Sequence, residues 1–240
     1  MGPRFSLTER NVDVMTWGGV AIELNLSYDN ILVMLQLFDD KTVSDKSKPL
    51  IALNMLVVER SLLAQLNGEQ LNKLLIDIFK AKLNIDLDKK ERVNEITNKD
   101  NSIDESEEDE TFQELPIVDF TIDAERIYSS FLYDYKLDLI EQQGKLLWNQ
   151  FLALFNNLSE ETPMKTAIKY RTCEVPKKTK DNGDQVKDIK KKKAFYELPQ
   201  AKAMREAREL KAYEERMRRY KEARKQLAQE DKVIKPTTDD

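Results

Sequence analysis

Two groups of carboxylates are the first candidates for chemistry in this chain. Asp104, Glu105, Glu107, Glu108, Asp109 and Glu110 crowd into one short stretch, and carboxylate oxygens are ligands that calcium favours. An EF-hand loop, however, spaces its ligands around a central glycine, and this stretch has none. The acidic run is therefore read as solvated chain. Asp119 and Asp123 form the second group. Two carboxylates in different environments can perform acid and base catalysis, yet the same spacing arises wherever an acid caps a helix. Nothing else in the sequence converges on this pair.

The rest of the catalytic repertoire is thin. The chain contains no histidine and one cysteine, Cys173. Ser-His-Asp and Cys-His machinery are thereby excluded, as are an intrachain disulfide and a cysteine-based zinc cluster. The glycines, Gly2, Gly18, Gly19, Gly68, Gly144 and Gly183, cannot build a Walker loop or a dinucleotide fingerprint. No enzymatic activity, metal or cofactor is expected. A single thiol fits a reducing cytoplasm. The longest apolar run, Leu50 to Val58, is far short of the roughly 20 residues that cross a bilayer, so no membrane is expected as a partner. Met1-Gly2 with Ser6 fits the loose myristoylation pattern, but Pro3 is an awkward neighbour, and acylation is not expected.

The elements that would position any site are mostly helical. Val12, Val14 and Thr16 alternate before Gly18-Gly19, and Val20, Ile22, Leu24 and Leu26 alternate after it. That pattern predicts a tight hairpin. Ser27 then starts a helix to about Phe38, with Ile31, Leu35 and Phe38 on one face. A second helix is expected over Leu50 to Leu63. A third starts at Asn67 with Gln70 in a capping box and buries Leu71, Leu74, Leu75, Ile78 and Phe79. From Asp86 to Glu114 apolar residues nearly vanish, and such a segment cannot offset its chain entropy. Residues 1–85 thus read as hairpin plus helices, and 86–114 as an acidic disordered linker.

Structure resumes over 115–198. Asp123 can cap a helix carrying Ile127, Tyr128, Phe131 and Tyr135, and a second helix after Gly144 carries Trp148, Phe151, Leu152, Phe155 and Leu158. These aromatic stripes, with Phe120 before them, are expected as core. Thr162-Pro163 opens a short helix to about Tyr170. Beyond Pro176 the chain turns basic. From Arg171 onward there are 21 Lys and Arg against 14 Asp and Glu, net +7, which leaves −12 for residues 1–170. Lys177 to Lys193 is read as a charged connecting segment, which gains affinity for nucleic acid only by displacing counterions; nucleic acid is not the expected partner. Pro199 precedes a long last helix to about Glu230. Along it Leu210, Tyr213, Met217, Tyr220 and Leu227 repeat at intervals of three and four, a narrow seam suited to a partner helix. The whole, with residues 199–240 as helix and tail, is a mainly α protein: a helical bundle with a small N-terminal β-hairpin, a disordered acidic linker and a long projecting C-terminal helix.

The order Val118-Asp-Phe-Thr-Ile-Asp-Ala-Glu-Arg-Ile-Tyr-Ser-Ser-Phe, then Gly144 with Trp148, Phe151, Ala153, Leu154 and Phe155, then Tyr170-Arg171, Glu174-Val175-Pro176 and Ala194-Phe195-Tyr196, resembles the gene-product-fifteen family of phages of Gram-positive hosts. The likeness is clearest over about 117–198. The chain departs from the family in having Asn149 after Trp148 and Asn157 at a position the family gives to glycine. The resemblance implies a tail assembly chaperone that acts in the host cytoplasm and is absent from the mature virion. Its partners would be the tape-measure protein, which it coats, and the major tail protein, which displaces it; self-association is a further expectation. The Leu210 to Leu227 seam is the candidate docking surface. A structural tail or connector component is the alternative, and a nucleic-acid adaptor a third.

Overall fold

A computed structural model of the chain describes residues 13–83 and 115–233, with side chains as far as residue 225. The expected acidic linker, 86–114, lies outside the described residues. The protein is mainly α, with one two-stranded antiparallel hairpin among the described residues. The chain divides into two compact units that interleave along the sequence. The described parts of the first are 13–83 and 124–165; those of the second are 115–123 and 166–233.

In the first unit, β1 (Val14–Trp17) and β2 (Val20–Glu23) pair with Val14 opposite Glu23 and Trp17 opposite Val20. Gly18 and Gly19 hold φ values of 58° and 82°. Two successive left-handed residues make the turn whose twist matches that of the flanking strands, and glycine adopts them without steric cost. Ile22 turns inward, and Trp17 Nε1 donates to Asp77 on α3 (Gly68–Ile78) at 2.9 Å.

α1 (Tyr28–Asp39) buries Tyr28, Ile31 and Met34. Met34 thus takes the place expected for Leu35, which is half-buried. α2 is shorter than its sequence suggests. It spans Lys48–Leu56, and the helix expected to reach Leu63 stops because Val57 turns extended and bridges to Leu24. Val58 N donates to Glu23 O at 3.0 Å and Asn25 N to Leu56 O at 2.7 Å, so the hairpin's backbone draws the segment out of the helix. A 3-10 turn, Arg60–Gln65, leads into α3. There the capping box closes as expected, with Gln70 N donating to Asn67 Oδ1 and Asn67 N to Gln70 Oε1, both at 2.9 Å.

α4 (Ala124–Tyr135) and α5 (Trp148–Asn156) complete this unit's core. Phe151 is the centre of its aromatic cluster, stacked on Tyr28 at 5.1 Å, Phe131 at 5.2 Å, Trp148 at 5.6 Å and Phe155 at 6.1 Å between ring centroids. Backbone pairing fastens the starts of α1 and α5 together. Tyr28 N donates to Leu146 O and Trp148 N to Leu26 O, at 2.9 and 2.8 Å. Gly144, at φ 71°, presents its N–H to Asp29 Oδ1 at 2.9 Å. The buried Ser130 hydroxyl donates to Arg126 O at 2.6 Å and accepts from Met164 N at 3.1 Å, at the start of α6 (Pro163–Thr172).

The second unit contains the strap 115–123, most of α6, α7 (Gly183–Tyr196) and α8 (Pro199–Val233). α7 corrects the reading of Lys177 to Lys193 as a connecting segment. From Gly183 onward the basic run is helical, with Val186 buried and Lys187, Lys190 and Lys191 exposed. One buried residue in a helix of 14 is a weak periodic signal, which the lysines hide.

Candidate functional site

The carboxylate pair singled out from sequence is built into the second unit's framework. Asp123 is fully buried, and Arg171 grips it with two bonds, Nη1 to Oδ2 at 2.6 Å and Nη2 to Oδ1 at 2.8 Å. The same guanidinium donates to Ile117 O at 2.8 Å and, through Nε, to Tyr196 O at 2.6 Å. Asp119 meanwhile accepts from Thr121 N and Ile122 N, both at 2.9 Å, and Asp119 N donates to Asp123 Oδ2 at 3.1 Å. Both carboxylates therefore hold backbone in place. A buried ionised carboxylate persists only where such a fork neutralises it.

Arg171 is the residue that sequence reasoning undervalued. It joins the strap, α6 and the end of α7 at one point. Around it Tyr170 stacks on Tyr196 with centroids 5.5 Å apart and planes 6° apart, and Lys192 Nζ lies 5.4 Å from the Tyr170 ring. Lys193 Nζ donates to Arg171 O at 3.1 Å and Cys173 O at 2.7 Å, placing a cation on the open carbonyls at the end of α6. The hydrogen bond from Lys192 to Asp188, and then the one to Tyr170, raises the pKa of Lys192. The signal was present in the sequence, since Asp123, Tyr170-Arg171 and Phe195-Tyr196 all lie within the segments that carry the family resemblance.

The residues expected as core divide between the units. Ile127, Phe131, Trp148, Phe151 and Phe155 are buried in the first. Tyr128 and Tyr135 are half-buried there, with hydroxyls donating to Asp138 Oδ2 at 3.2 Å and Leu154 O at 2.9 Å. Phe120 belongs to the second unit and is half-buried. For these three, a polar tip or a place on the strap keeps the ring partly at the surface.

α8 carries the remaining candidates. Leu198 and Ala201 at its root are buried, and Arg205 is forked onto Glu197 at 2.8 and 3.1 Å while also reaching Glu209 at 3.0 Å. The Arg205 hydrogen bond pulls the Glu197 carboxyl below its ordinary pKa. Beyond Arg208 every described side chain is exposed except Met217, which is half-buried. Leu210, Tyr213 and Tyr220 are 58%, 50% and 61% exposed. Met217 lies in a shallow groove bordered by Tyr213, Glu214, Arg218 and Lys221, and the Arg216 guanidinium lies 5.6 Å from the Tyr213 ring centroid. Leu227 falls on the helix but past the last described side chain. The helix thus brings four of the five seam residues into one uncovered row.

Among the described residues no cluster of three or more potential ligands is placed to hold a metal, and no helix is long and apolar enough to cross a membrane. Comparison with curated proteins and with solved structures finds no match for this chain. A match does come from the family described as Bacteriophage Gp15 protein, over residues 7–198, ending one residue before α8 begins. With well over half of its length matched and the Arg171 knot and aromatic cluster both inside that span, the chain belongs to the bacteriophage Gp15 family and is a phage structural or assembly-related protein.

Proposed function

We propose that this protein is a tail assembly chaperone, a non-enzymatic factor that binds the tape-measure protein in the host cytoplasm and keeps it soluble. It leaves as major tail protein subunits polymerise around the tape measure, and so is absent from the mature virion. The observation that carries this reading is the row of Leu210, Tyr213, Met217 and Tyr220, uncovered on an otherwise charged helix of a Gp15-family chain. A narrow apolar row flanked by charge grips a client helix without burying enough surface to hold it permanently. A continuous core would not release.

Co-expression with the tape-measure protein tests it. The full chain should keep the tape measure soluble and co-purify with it, and replacing the four seam residues by serine should abolish both effects. Finding the protein at stoichiometric levels in mature particles would instead make it a structural tail or connector component.

A further inference from the structure

Glu206, Leu210, Tyr213, Met217, Tyr220 and Arg224 recur along α8 at alternating intervals of four and three. A row with that spacing faces a neighbouring helix along its whole length. The charges in and beside the row say what that neighbour is. The two ends of the row are opposite in sign, Glu206 at one and Arg224 at the other. The positions flanking it are Glu209 and Arg216 on one side and Glu214 and Lys221 on the other.

Two copies of the helix can pair in two directions. A parallel pair in register sets Glu206 beside Glu206 and Arg224 beside Arg224 within the apolar row. Along its edges it sets Glu209 against Glu214 and Arg216 against Lys221. Every one of these contacts is repulsive. An antiparallel pair centred on Glu215 reverses all of them. Glu206 then meets Arg224 of the second copy, Leu210 meets Tyr220, and Tyr213 meets Met217. At the edges Glu209 lies toward Arg216 and Glu214 toward Lys221, each twice by the two-fold symmetry, against one Glu214–Glu214 and one Arg216–Arg216 approach at the dyad, so opposite charges outnumber like ones two to one. Edge charges of this kind set partner and orientation in helix pairs.

We infer that α8 is a homodimerisation helix that pairs antiparallel with α8 of a second copy. Both flanking charges of the proposed Glu214 and Lys221 pairs already border the Met217 groove, so the second copy's Tyr213 enters a groove rimmed by the charges that would orient it. The dimer goes beyond the chaperone reading and does not require it. Where a tape-measure helix is the client, it takes the second copy's place on the same row.

Sedimentation velocity on the purified full chain, across a dilution series and without any tape-measure protein, tests the inference. The expected result is a monomer–dimer equilibrium that Met217→Glu abolishes. Lys221→Glu should weaken it roughly tenfold, because two attractive edge pairs become repulsive. Adding Glu214→Lys to Lys221→Glu should restore it. Circular dichroism of each variant, at the wild-type helix content, separates loss of pairing from loss of folding. A chain that stays monomeric throughout overturns the inference. So does a dimer that Lys221→Glu tightens, since only the parallel arrangement gains from that change. A dimer indifferent to both substitutions places the contact elsewhere and overturns it equally. Loss of self-pairing with tape-measure binding intact would leave the proposed function standing by itself.

Discussion

At the scale of single residues, Arg171 ties together three separate segments of the second unit. Its four hydrogen bonds reach a buried carboxylate and two backbone carbonyls. The planar fork of a guanidinium can serve these directions together, which an ammonium cannot. Arg171→Ala should destabilise the protein by about 3–5 kcal/mol, because it removes the guanidinium that balances the buried Asp123 carboxylate. Arg171→Lys should recover less than half of that loss. Urea unfolding of the two variants checks both statements, and a lysine variant as stable as the wild type would remove the fork from the account. Replacing Asp123 and Arg171 together with apolar residues should cost less than either single change, since the penalty comes from the unbalanced charge.

At the scale of elements, the start of α1 is where segments distant in sequence are joined. Tyr28 opens the helix, stacks on Phe151 and donates its hydroxyl to Leu139 O. Burial, aided by the nearby Asp29 and Asp138 carboxylates, pushes the phenol up to about 12 from an ordinary value of 10.0. The folded state therefore holds this proton more tightly than the unfolded chain. Its contribution to stability is complete below pH 10.0, declines above it, and is gone once the pH has passed about 12. Unfolding measured against pH should show wild type losing stability faster than Tyr28→Phe across that window. Parallel curves would mean that the hydroxyl is not held in this way. Glu197 behaves oppositely at the root of α8. Its depressed pKa means that the stability from its pairing with Arg205 is present above the ordinary carboxylate value of 4.5 and disappears as the pH falls through the lower folded value.

At the scale of the whole molecule, stability and assembly draw on different parts of the chain. Among the described residues, the buried side chains and the Arg171 knot all precede Lys202, and no side chain from Glu209 to Lys225 is buried. Side chains that stay in water add little to stability. At concentrations low enough for the full chain to be monomeric, a chain ending after Glu209 should thus melt within about 1 °C of it, as expected for a stability change of a few tenths of a kcal/mol, while losing self-pairing and tape-measure binding. A marked drop in melting temperature would show that the removed helix covers part of the folded body. The division agrees with the extent of the family match, which stops at residue 198 and leaves this helix outside it.

Local chemistry is readable in the sequence alone. The Gly18-Gly19 turn, the Asn67 and Gln70 capping box, the Thr162-Pro163 helix start and the seam spacing of α8 each depend on residues within a few positions of one another. Their physics is contained in one short window of sequence. The outcomes that needed the tertiary structure all involve a distant partner. The second helix stops at Leu56 because a strand more than thirty residues earlier takes its backbone. α7 folds as a helix although lysines mask its periodicity, and Lys193 and Tyr196 on it meet Arg171. Asp119 and Asp123, a pair capable in sequence of acid–base work, belong to the framework because Arg171, 48 residues beyond Asp123, is bonded to it. Periodicity and caps report on nearest neighbours along the chain, whereas the fate of a buried charge is decided by whichever group the fold brings to it.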